Sequence, residues 1–155
     1  MNLTANFTLA EMVSSQTAAR LGIDNAPTPE FITNLQRVAQ VLEQIRALLN
    51  CPILISSGYR CAALNERVGG SKTSAHMRGM AADFTSPKFG TPFEVARRIQ
   101  QTGAIGFDQL IHEYGAWVHI GIADNAPRHQ TLSIFNGTGY FPGIWANRQS
   151  AELGR

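Results

Sequence analysis

The sequence predicts an α+β fold in which helices pack on a small, mostly antiparallel sheet. Three observations carry that reading: helix-start signals, one of them opening a long amphipathic stripe; short apolar runs with strand character; and the order in which helices, strands, one more helix and further strands follow each other. A chain of 155 residues builds one substantial core and is too short for two ordinary ones. A single domain over 1–155 is therefore expected, with its core at about 6–140 and an irregular segment over 141–155; Asn136 to Arg155 is rich in Gly, Asn and aromatics without clear periodicity.

The elements follow from local grammar. In Phe7-Thr-Leu-Ala-Glu-Met12, Thr8 is placed to cap a helix with Glu11 at N3, and Phe7 and Met12 occupy the two positions of a hydrophobic staple. Gly22 then ends the helical stretch around Thr17 to Leu21. Thr28 caps the next helix with Pro29 at N1, and Phe31, Leu35, Val38, Leu42, Ile45 and Leu49 form the apolar stripe of a long scaffold helix ending near Asn50. Thr91-Pro-Phe-Glu94 repeats the capping box and opens a helix that stops near Gly103. Strand character falls on Pro52 to Ser57, Met80 to Thr85, Phe107 to Glu113, Trp117 to Ile122 and Gln130 to Phe135.

Composition excludes several functions. A hydrophobic fraction of 44% is close to the globular norm, and charged residues at 15% argue against disorder. Thirteen Lys and Arg stand against eleven Asp and Glu, and the basic residues are scattered, so no nucleic-acid footprint exists. No segment approaches the ~20 apolar residues of a membrane span, and MNLTANFTLAEM lacks the basic and apolar regions of a secretory signal. The expectation is synthesis in the cytoplasm with no membrane insertion. Cys51 and Cys61 read as two buried reduced thiols, with a bridge between them as the alternative.

Two histidines and one acid stand out. His76 lies in a polar Ser/Lys/Thr turn, and Asp83 lies within the apolar strand MAADF, where a desolvated carboxylate needs a donor, a counter-ion or a metal. His119 interrupts the apolar strand of Trp117-Val-His-Ile-Gly-Ile122 in the same way. Two histidines and a carboxylate suit Zn²⁺ with one position left open for water. A base beside them depends on the hairpin FDQLIHEYGAWVHI. A three-residue connection, Tyr114 to Ala116, pairs Glu113 with Trp117 and puts Glu113 on the face of His119, whereas a four-residue turn gives that face to His112. Arg60 follows a buried strand through a Gly turn, suited to clamp a carboxylate or stabilise an oxyanion, and Ser74 either donates to substrate or caps its turn.

Ser57-Gly-Tyr-Arg60, Ser74 to Asp83 in the form Ser-x-His-x-x-Gly-x-Ala-x-Asp, and Trp117-Val-His-Ile120 together resemble the zinc D,D-carboxypeptidase and endopeptidase family of cell-wall enzymes. The likeness runs from about Asn6 to Tyr140 and is greatest to the small single-domain branch found in phage endolysins and bacterial cell-wall enzymes. The resemblance implies a D,D-peptidase/hedgehog-like fold, Zn²⁺ as cofactor held by His76, Asp83 and His119, Glu113 and Arg60 as catalytic residues, and Ser74, Tyr59 and Arg60 as substrate-binding residues. It also implies the peptidoglycan stem peptide as partner and a monomer that reaches the wall after holin-type release or in a virion, cutting either the L-Ala to D-Glu bond or a terminal D-Ala. Several relatives carry an acid three residues before the last zinc histidine, where this chain has Ala116. That departure sustains the alternative of a non-catalytic, zinc-stabilised wall-binding or virion module.

Overall fold

In the computed structural model, which describes residues 1–154, helices and a six-stranded sheet are joined in the α+β arrangement the sequence predicts. Helix α1 (Leu9–Val13) begins at a reciprocal capping box. The Glu11 N–H donates to Thr8 Oγ1, while the Thr8 N–H donates to the Glu11 carboxylate at 2.8 Å. Phe7 and Met12 are both buried, as the staple requires. Helix α2 (Gln16–Leu21) stops at Gly22 in the left-handed region.

The scaffold helix α3 (Pro29–Leu49) starts with the Thr28 hydroxyl on the Phe31 N–H and ends at Asn50, φ 51°. Its buried stripe is Leu35, Val38, Ala39, Leu42, Ile45 and Leu49. Then come β1 (Leu54–Ser57), the short helix α4 (Ala62–Arg67), a 3-10 turn at Ala75–Arg78 and β2 (Ala81–Thr85). Helix α5 (Pro92–Thr102) has the Thr91/Glu94 capping box and ends at Gly103. Strands β3 (Gln109–Glu113), β4 (Trp117–Gly121), β5 (Gln130–Ile134) and β6 (Tyr140–Pro142) lead to helix α6 (Arg148–Leu153).

The tail expected to be irregular thus holds a strand and a helix. Its sequence hides them because α6 is only six residues long, caps itself with Asn147 and Ser150, and buries only Ala151. Helix α4 was equally silent, since Cys61 at its N-cap gives no side-chain hydrogen bond. The two cysteines are free thiols, as expected, but both are half-buried where full burial was expected.

The strand order is β1-β2-β4-β3-β5-β6, antiparallel throughout except for the parallel β3 and β5. Alternation along the strands separates two faces. Ala82, Phe84, Leu110, Val118 and Ile120 point into the main core with the α3 stripe and with Val95, Ala96 and Ile99 of α5. A smaller cluster of Phe135, Phe141 and Ala151, with Trp145 against it, fixes the C-terminal segment. Among the described residues no helix is long and apolar enough to cross a membrane. Leu42 is fully buried at the centre of the α3 stripe, so Leu42→Ala is expected to cost about 2–5 kcal/mol, measured by denaturant unfolding.

Candidate metal centre

The opposite face of the sheet carries the polar residues. Asp83 pairs directly with His119 across β2 and β4, and His119 pairs with Ile111 across β4 and β3. One step along, Glu113 pairs with Trp117. Direct partners share a face, so Asp83, His119, Trp117 and Glu113 all stand on the side away from α3 and α5. The connection is the three-residue one, with Tyr114 and Gly115 both at positive φ. His112 consequently faces the helices, where its Nδ1 donates to the Trp145 carbonyl at 2.8 Å and its ring lies between Phe93 and Phe135.

His76 arrives from the 3-10 turn. The Ser74 hydroxyl accepts from the His76 N–H, and Gly79 closes the turn at φ 68°. A Cβ on Gly79 would lie 2.7 Å from the Phe31 carbonyl oxygen, so both the reversal and its approach to α3 require glycine. Gly58 has a similar role beside α1. A Cβ there would meet the Met12 carbonyl oxygen at 2.2 Å. Without it, the chain runs close enough for the Gly58 carbonyl to accept from His76 Nδ1 at 2.6 Å.

That bond decides the tautomer. A carbonyl only accepts, so His76 Nδ1 carries the proton and Nε2 presents a lone pair. Burial lowers the His76 pKa, against the pull of Asp83, and keeps the ring neutral. Nε2 lies 3.2 Å from Asp83 Oδ1, and His119 Nδ1 lies 2.9 Å from the same oxygen. Two acceptors facing each other at 3.2 Å are satisfied by a cation collected between them. The ligand-capable atoms of His76, Asp83 and His119 lie within 4.8 Å of one another, and all three residues are buried. Two imidazoles and a carboxylate are donors that suit zinc. Burial opposes the charge of Asp83, but the two imidazoles outweigh it and hold the carboxyl well below its ordinary range. His119 shifts the other way, burial being outweighed by its bond to Asp83.

Glu113 is half-buried, and desolvation followed by the charge of Asp83 raises its pKa. The Trp117 indole N–H donates to Glu113 Oε2 and fixes the carboxyl. In the sequence Trp117 served only as the register partner of Glu113 and as part of a motif, although its parity with His119 places it on this face. Arg60 is largely desolvated, which lowers its pKa against the pull of Asp83 and Glu113. Its Nη2 donates to Ser74 Oγ at 3.3 Å, and its buried Nε has no hydrogen-bond partner among the described residues. Both bonds at Ser74 use the oxygen as acceptor and leave its proton uncommitted. Tyr59 belongs to the core and packs at a tilt against Phe31, ring centroids 5.7 Å apart.

A cleft of about 660 Å³ runs beside these groups, lined in part by Tyr59, Arg60, Asp83 and Trp117. Its far wall, Ser14 to Thr17 at the junction of α1 and α2, has no signal in the sequence beyond small hydroxyl residues. Raised folded-state pKa values favour stability below the ordinary value and lose it as pH rises through the folded one. Metal-free Glu113→Gln is therefore expected to melt above metal-free wild type at pH 7, the advantage shrinking as pH falls toward the ordinary carboxyl range; paired thermal scans measure it.

A family model described as Peptidase M15 matches residues 5–121, and the chain belongs to that family of zinc-dependent metallopeptidases. No curated protein matches the chain. The matched span encloses His76, Asp83, His119, Glu113 and Arg60 and ends before β5. Zinc at 100 times its dissociation constant stabilises a folded site by about 2.7 kcal/mol. The thermal midpoint is expected to rise on zinc addition in wild type and to stay flat in Asp83→Asn, whose circular dichroism should remain native.

Proposed function

We propose that this M15 peptidase cuts an internal bond of the peptidoglycan stem peptide, the L-Ala to D-Glu linkage, in the manner of an endolysin. The observation that carries the reading is the placement of Glu113 and the His76, Asp83, His119 group on one sheet face beside a cleft of about 660 Å³. That volume lies within the range of ordinary ligand-binding clefts, about 300–1,000 Å³. A pocket for one terminal D-Ala would need far less. The cleft continues past Arg60 along Ser56 and Ser57 to Ser14 and Thr17, which supports chain extending on both sides of the scissile bond.

His76, Asp83 and His119 would hold the metal. Zinc, when bound there, polarises a carbonyl and acidifies water. The chain's own residues supply the rest. Glu113 accepts the proton of the attacking water and hands it to the leaving amine nitrogen, and a carboxyl whose pKa is raised holds that proton more readily between the two transfers. The Trp117 N–H on Oε2 leaves Oε1 to make these transfers. Arg60 brings a permanent positive charge and an uncommitted Nε donor to the negative charge that develops on the carbonyl oxygen, or to a substrate carboxylate. Among the described residues Arg60 is the only cation lining the cleft, so a chain bearing carboxylates is the substrate that fits.

The Ala116 departure is accommodated by the hairpin, because Glu113 reaches the site face from β3. Mass spectrometry of muropeptides released from purified peptidoglycan tests the proposal. The expected products carry a new N-terminal D-Glu on the shortened stem. Loss of D-Ala alone would make the protein a carboxypeptidase, and no release with zinc present would reduce it to a binding module. Glu113→Ala is expected to lower kcat by at least 100-fold with zinc content unchanged.

A further inference from the structure

Strand β6 lies outside the family match, at the end of the sheet remote from Arg60. Register carries one residue of it into the site. Trp117 pairs with Glu113, Glu113 with Ile134, and Ile134 with Tyr140, so the four form a row across β4, β3, β5 and β6 on one face. Neighbouring strands are about 4.8 Å apart, which puts the Tyr140 Cα roughly 10 Å from that of Glu113. Phe141 alternates to the other side and is buried in the C-terminal cluster with Phe135 and Ala151, anchoring the strand. Tyr140 itself is 52% exposed.

Partial burial comes first in raising the pKa of the Tyr140 phenol, followed by the negative charge of Glu113 and, more weakly, of Asp83. The row holds this side chain on the face of Glu113. Its proton is held on, so it is a donor. A carboxylate partner would be repelled by the Glu113 carboxylate in the same row, which leaves a neutral carbonyl as the acceptor that fits.

We propose that Tyr140 is a substrate-binding residue that bounds the site opposite Arg60 and donates its phenol hydrogen bond to a backbone carbonyl of the bound peptide, holding the chain beside Glu113. The inference rests on the peptidase reading above. Tyr140 has no part in holding the metal, and its hydroxyl is not needed for the β6 backbone to pair with β5.

The test uses zinc-loaded full-length chain, a synthetic stem peptide, and the variants Tyr140→Phe and Tyr140→Leu. Losing one hydrogen bond to an uncharged acceptor is expected to raise KM about fivefold in Tyr140→Phe with kcat nearly unchanged. Tyr140→Leu should lose at least as much. In a Glu113→Gln background, where the peptide stays intact, calorimetry should show binding weakened by a similar factor when Tyr140→Phe is added. Zinc content and thermal midpoint should not move. Tyr140→Phe matching wild type in both KM and binding overturns the inference while leaving the peptidase reading intact. A drop in thermal midpoint with KM unchanged overturns it too, making the hydroxyl structural. Wild type that neither binds nor cuts the stem peptide overturns both.

Discussion

A carboxylate in the middle of a buried strand has to be answered by its surroundings, and Asp83 organises much of this molecule. Left alone it would be neutralised or would unfold the strand. The fold answers it twice, with His119 paired across the sheet and His76 delivered by the turn that enters the same strand. Each answer makes further demands. His76 must be oriented, which needs the Gly58 carbonyl, which in turn needs a chain without a Cβ against the end of α1. The turn must reverse against α3, which needs Gly79. A web of backbone positions far from one another in sequence is thus tied to one side chain.

The sheet divides the work. Its helix-facing side is apolar and closely filled, and supplies the stability. Its other side collects groups that fold at a cost: a desolvated arginine with a spare donor, a glutamate with its charge disfavoured, and two rings facing one carboxylate oxygen. Such arrangements are tolerated because the first face offsets them, the usual relation between a stable scaffold and a reactive site. The M15 match covers the part of the chain in which both faces first appear, and the C-terminal segment adds β5, β6 and α6 beyond it.

Much of this was legible in the sequence because its signals are local. Thr8, Thr28 and Thr91 each cap the helix their spacing announces, and the α3 stripe buries as its period demands. Asp83 and His119 were conspicuous as polar intrusions in apolar strands, His76 stood in a polar turn, and the structure brings the three together. What escaped notice depended on pairing between distant segments. Strand β6 is three residues long and has meaning only against β5. Helix α4 lacks a cap, and the Ser14 to Thr17 wall becomes a wall only when β1 lies opposite. The choice between Glu113 and His112 was an intermediate case. Local sequence reduced it to the length of one turn, and the backbone of Tyr114 and Gly115 decided it.

That turn has a consequence for how such a chain can change over generations. Surface connections are where proteins ordinarily accept inserted and deleted residues. Between β3 and β4 the count itself is chemical information, since one residue more or less would exchange the faces of Glu113 and His112 relative to a fixed β4. Substitution at Ala116 is cheap, but a single-codon insertion beside it would be as damaging as losing the glutamate. The exposed tip of the hairpin is therefore open to drift in identity at Ala116, restricted at Tyr114 and Gly115 by their positive φ, and closed to drift in length.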